Sequence, residues 1–158
     1  MSLDLYLVTD TPVHHKGTGV FIRENGKTKE LTKEEYKERY GKEAKEEEYT
    51  DNNLLHINLT HNLAAMANKC GYEGESTTLY TLLWHPENVL GEDCKVTKDY
   101  FYKLVDFYGL LESNPDYYKQ FNPENGWGSY EQLVSAVEKF MCTIAPNLHK
   151  HLTIESCI

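Results

Sequence analysis

Apolar and polar residues alternate as soon as the chain begins. Leu3, Leu5 and Leu7 alternate with Asp4, Tyr6 and Val8, the period of two that gives a strand one apolar face. Thr11-Pro12 predicts its end. Val20-Phe21-Ile22-Arg23 and the run from Lys27 to Leu31 flank Glu24-Asn25-Gly26. Asn-Gly between two strand-like runs predicts a hairpin, because both residues tolerate positive φ. The alternation then stops. Thr32-Lys33-Glu34-Glu35 fits a capping box, and a charged helix is expected from there to about Glu48. Leu54 to Leu59 restores the period of two, with Leu55, Ile57 and Leu59 on one side and Leu54, His56 and Asn58 on the other.

Beyond Thr60 the spacing becomes helical. Thr60 can cap a helix starting at His61, whose buried stripe would be Leu63, Met66, Ala67 and Cys70, with Gly71 just past its end. Residues 72–96 are ambiguous, except that Pro86 biases His85 away from helix. Thr97 opens a helix with an apolar face of Phe101, Leu104, Val105, Tyr108 and Leu111. Asn114-Pro115 starts a short helical turn. Ser129-Tyr130-Glu131-Gln132 is a second capping box, followed by the regular stripe Leu133, Val134, Val137, Phe140, Met141 and Ile144. Pro146 stops that helix, and Leu152 to Ile158 reads as a terminal strand. The order predicts a single α+β domain over residues 1–158: a mixed or antiparallel sheet with helices packed on a face.

Composition narrows the function. Of 158 residues 40% are hydrophobic and 26% charged, ordinary for a globular chain that buries its own core. The net charge of −9 argues against a duplex nucleic-acid surface, which needs clustered Lys and Arg. No apolar run approaches a membrane span and the first residues lack a basic leader, so neither a membrane nor a secretory route is expected and a cytoplasmic location is. Residues 23–49 carry 8 positive and 9 negative side chains. Such a mixed stretch is usually a solvated face, and a lid formed by residues 32–49 is its sharper reading. Cys70, Cys94, Cys142 and Cys157 share no C-x-x-C spacing and read as buried reduced thiols. His14-His15, His56/His61 and His149/His151 are not joined to further ligands at a metal-binding spacing, so neither metal nor cofactor is expected.

Two segments hold candidate chemistry. Asn58-Leu59-Thr60-His61-Asn62 spans a strand-to-helix junction, where free N–H groups can meet an anion; it can equally be an ordinary cap. Asn122-Pro123-Glu124-Asn125-Gly126-Trp127-Gly128 is a polar turn whose tryptophan could stack a planar ring or plug the core. Trp84, ending an apolar run, is a weaker stacking candidate.

Three motifs taken together resemble a family of small bacteriophage and prophage proteins: Asn-Leu-Thr-His-Asn-Leu-x-x-Met-Ala at 58–67, Leu-Trp-x-Pro at 83–86 and Phe-Asn-Pro-x-Asn-Gly-Trp-Gly-x-Tyr at 121–130. The chain departs from that pattern in a longer 71–78 segment and in His85, where the family pattern has Arg. The resemblance implies a viral protein working in an infected bacterial cell, but no reaction. Amide and aromatic residues recognise ligands by hydrogen bonds and stacking without needing turnover. The leading expectation is therefore a non-catalytic binder of a nucleotide-derived signalling molecule of bacterial immunity. It would use Asn58, Thr60, His61, Asn62, Trp84, Asn122, Asn125 and Trp127. Self-association would let two copies share such a site. One rival is a two-histidine phosphodiesterase acting on a cyclic nucleotide, built from His56 with Asn58 and from His151 with Thr153. The other is an acidic module that inhibits a basic host protein.

Overall fold

The computed structural model describes residues 2–24, 27–43 and 47–158. Strand β1 (Ser2–Gly17) lies in the middle of an antiparallel three-stranded sheet, between β4 (Glu47–Thr60) and β5 (Leu152–Cys157). Its register opposes Leu3 to Leu59, Leu5 to Ile57 and Leu7 to both Leu55 and Ile154. These residues make one face apolar, and the helices cover it. They are α2 (Ala64–Lys69), α3 (Leu79–Trp84), α4 (Glu87–Leu90), α5 (Lys98–Ser113), α6 (Pro115–Lys119) and α7 (Tyr130–Ile144). One hydrophobic cluster joins Leu3, Leu5, Ile57 and Leu59 of the sheet to Leu63, Met66, Leu82, Trp84, Leu104, Val137 and Phe140. This is the α+β fold expected, with its sheet wholly antiparallel.

Local signals account for most helix starts. Thr97, Asn114 and Ser129 each cap the helix that follows, accepting from Tyr100, Tyr117 and Gln132 N–H. Thr32 and Glu35 form both halves of a capping box on α1 (Lys33–Tyr40).

Several expectations are corrected. β1 does not end at Thr11-Pro12: a register shift between Val8 and Val13 bulges residues 9–12 away from β4, so proline's missing N–H interrupts no ladder bond there. The charged helix ends at Tyr40 rather than near Glu48, because Gly41 takes the left-handed conformation, φ 69°, and closes it. Residues 47–53 extend β4 instead, with 47–51 pairing with Val13–Gly17 as a ribbon. The hairpin of β2 (Phe21–Glu24) and β3 (Lys27–Glu30) forms as predicted, while its Asn25-Gly26 turn lies outside the described residues. Gly71 is not a left-handed cap. It bridges to Thr78 so closely that a Cβ would lie 2.9 Å from the Thr78 methyl. The buried stripe of α5 is Tyr100, Leu104, Phe107 and Leu111, one residue round from Phe101 and Tyr108, because the Tyr100 hydroxyl donates to Leu82 O at 2.7 Å and makes the ring fit for the interior. Of the cysteines only Cys70 is buried; Cys142 and Cys157 are exposed and Cys94 lies between. Burial pushes the Cys70 thiol up to about 12, out of reach of thiolate chemistry.

Candidate functional site

The two predicted segments meet. Thr60 caps the 3₁₀ turn His61–Leu63, accepting from Asn62 N–H. The Asn62 side chain then crosses to the second segment, its Nδ2 donating to Trp127 O at 3.2 Å and Asn125 Oδ1 at 3.5 Å. Gly128 closes the contact from the other side. Its φ is +110°, and a Cβ there would lie 2.7 Å from the Thr60 methyl, so only glycine satisfies both the backbone and the space. Within the loop, Asn125 Oδ1 accepts from Trp127 N–H at 2.9 Å and Asn122 Oδ1 accepts from Tyr130 N–H at 2.9 Å.

The consequence is a shallow hollow of about 400 Å³ lined by Asn125, Gly126, Trp127, Gly128, Ser129 and Gln132. None of these side chains titrates. Trp127 does not plug the core: it is 57% exposed, on a loop whose asparagines are bonded to hold its shape. The anion-binding capacity of the α7 N-terminus is already used. Ser129 caps it, and the Glu131 carboxylate sits there, held below its usual range chiefly by a backbone hydrogen bond, with Lys119 adding to the effect.

The remaining sequence candidates lie elsewhere or serve the scaffold. Trp84 is buried, stacked on Tyr80 at 5.4 Å and met edge-on by His61 at 6.4 Å; its indole Nε1 is buried with no partner among the described residues. It cannot stack a ligand from solvent. His61 therefore faces that indole rather than the hollow. Asn58 is on the face of the sheet away from the helices, donating to Asp4 Oδ1 at 2.7 Å and accepting from Arg23 at 3.4 Å. His56 is on the same face. Tyr6 opposes His56 on one side and Glu155 on the other. Strand spacings then put His151, four residues before Glu155, about 16 Å from His56.

The outer sheet face holds residues that the sequence reading passed over. His56 Nε2 donates to Asp4 Oδ1 at 2.9 Å, and Tyr6 stacks on the imidazole at 4.4 Å and 4°. Burial pushes the Asp4 carboxyl up, but hydrogen bonds from Asn58 and His56, with the charges of His56 and Arg23, outweigh it and hold the carboxyl below its usual value. The signal was the alternation itself: Asp4 and Tyr6 must share a face once Leu3, Leu5 and Leu7 share the other. Among the described residues no group of His, Cys, Asp and Glu could hold a metal ion, and no helix is long and apolar enough to cross a membrane.

No family model, curated protein or solved structure matches the chain.

Proposed function

We propose that the protein captures a small, nucleotide-derived molecule without converting it, in the hollow beside Trp127. The observation that carries this reading is the exposure of the Trp127 ring on a loop fixed by Asn62, Asn122, Asn125 and Gly128. A large ring carried into solvent on a loop whose backbone is fixed is an organised stacking platform, since the loop itself has little entropy left to lose when a planar ligand lands on it. The Gln132 and Asn125 amides at its rim suit the donor and acceptor edge of a nucleobase. The absence of any acid or base from the lining supports capture over turnover. The sequence resemblance to bacteriophage proteins adds the context: the ligand is a signal of bacterial immunity, bound inside an infected cell.

The contact recognises the base rather than the phosphate, because Glu131 and Ser129 occupy the helix terminus. The test is thermal unfolding in the presence of nucleotides, cyclic dinucleotides and ADP-ribose derivatives. A ligand at a hundredfold excess over its Kd stabilises the fold by about 2.7 kcal/mol. After denaturation the ligand should be recovered chemically unchanged. Recovery of a cleaved product, or no shift from any base-containing compound, would refute the proposal.

A further inference from the structure

Helix α5 buries one stripe of residues and shows water a second. Tyr100, Leu104, Phe107 and Leu111 face the core. On another side, steps of three and four residues join Lys98, Phe101, Val105, Tyr108 and Glu112, and equally Lys98, Tyr102, Val105, Gly109 and Glu112. Residues so spaced are neighbours on a helix, so these positions form one continuous strip. Tyr102 is 59% exposed and Val105 38%, and Phe101 and Tyr108 are only partly buried against the core. The strip is aromatic in its middle, with a cation at one end and a carboxylate at the other.

Two features of the strip have no explanation within one chain. Gly109 lies inside the helix, and a Cβ there would meet nothing within 4 Å. Glycine weakens a helix interior relative to alanine, and neither space nor a positive φ calls for it here. The end charges also run against the helix dipole. Lys98 stands in the first turn, at the positive end, and Glu112 in the last turn, at the negative end. Asp99, which does suit the first turn, points about 100° round from Lys98, off the strip. Lys98 has no ion pair among the described residues. Glu112 Oε1 accepts from the Tyr108 hydroxyl at 2.7 Å, a neutral donor that fixes the carboxylate without cancelling its charge.

We infer that a second copy of this chain covers the strip, the two α5 helices packing antiparallel about a twofold axis at Val105. Such an axis opposes residues that lie equally far from Val105 on the two helices, and every contact occurs twice. Tyr102 then covers the space left by Gly109 of the second copy, and Phe101 meets Tyr108 of the second copy. Lys98 reaches Glu112 of the second copy and the negative end of that helix, so the charges that each helix disfavours alone are favoured in the pair. A basic partner would answer Glu112 and leave Lys98 opposed; a second copy answers both ends. One helix face makes a small interface, so the dimer is weak, dissociating in the micromolar range. The strip shares no residue with the Trp127 hollow, so either reading can fail without the other.

The experiment is sedimentation equilibrium of the full-length protein over a concentration series, with reductant present because Cys142 and Cys157 are exposed. The mass should rise from monomer to dimer as concentration increases. Gly109→Leu fills the space that Tyr102 needs, so it should abolish the dimer, while the melting temperature stays level or rises through better helix propensity. Lys98→Glu and Glu112→Lys should each weaken the dimer about tenfold, because each reverses one charge in both partly exposed pairs. Mixing the Lys98→Glu and Glu112→Lys proteins should restore association, since one pair is rebuilt with its signs exchanged and the other is native. That recovery separates a lost contact from a damaged fold. A monomer at every concentration would overturn the inference and leave the strip to a different partner. A dimer that survives Gly109→Leu, or a mixture no tighter than its components, would overturn it as well.

Discussion

The helical body and the arm that carries the hairpin and α1 are built on opposite terms. In the body, six helices and one sheet face share a single cluster that includes fully buried Trp84, Tyr100 and Phe140. In the arm, α1 buries nothing. The arm's one buried apolar residue among those described is Leu31, which lies outside that cluster. The arm is held by a ladder, a capping box and surface ion pairs such as Lys29–Glu35. Interactions of that kind contribute about 1 kcal/mol or less each, against several for a buried ring. The body therefore sets the stability of the molecule, and the arm can open with little loss to it. The Trp127 hollow lies on the body's side of that line.

The comparison is tested most severely by emptying the core. Phe140→Ala should cost about 3–5 kcal/mol by denaturant unfolding. A cost below about 1 kcal/mol would mean that the body is not the stabilising unit. Gly128→Ala comes next, at about 1–3 kcal/mol, because it places a side chain at positive φ against Thr60. Its effect on ligand capture should exceed its effect on stability, since the strain falls on the Trp127 loop. Thr32→Ala removes the α1 capping box. Amide exchange should show a local loss of about 1 kcal/mol confined to the arm, with the global melting temperature unmoved; a global shift would join the arm to the body.

The smallest effect lies at the seam between the two regions. Asp4 has a lowered pKa in the folded chain, so its contribution is fully present above the ordinary carboxylate value near 4 and is lost as pH falls through the lowered one. With its side chain about a third exposed, that contribution is about 1 kcal/mol or less. Unfolding measured from pH 6 down to pH 2 should lose this part of its slope in Asp4→Asn. An unchanged profile would contradict the assignment.

What could be read from the sequence follows the same division. Where one face is buried, spacing records it: the Leu133, Val137, Phe140 and Ile144 positions of α7 and the Leu3, Leu5 and Leu7 positions of β1 are all buried as expected. The α5 stripe was displaced because tyrosine reads as half polar, and only the carbonyl of Leu82 makes Tyr100 an interior residue. Residues 47–53 carry no apolar alternation, so their pairing with β1 left no trace in the spacing. The polar turns around Thr60 and Trp127 stood out as sequence. Their junction did not, because it depends on one amide bonding across 65 residues to a backbone carbonyl, a contact that no local pattern encodes. Asn58 and Trp84 were right as unusual residues and misplaced as ligand contacts, one serving Asp4 and the other the core.

The most direct measurement of the central claim is tryptophan fluorescence during titration with base-containing nucleotides. The chain has two tryptophans, Trp84 buried and Trp127 exposed, so red-edge emission reports Trp127. The account predicts saturable quenching of that component by the ligand that raises the melting temperature, with quenching and thermal shift both lost in Trp127→Ala. A Trp127→Ala protein that keeps the same thermal shift with the same ligand would contradict it.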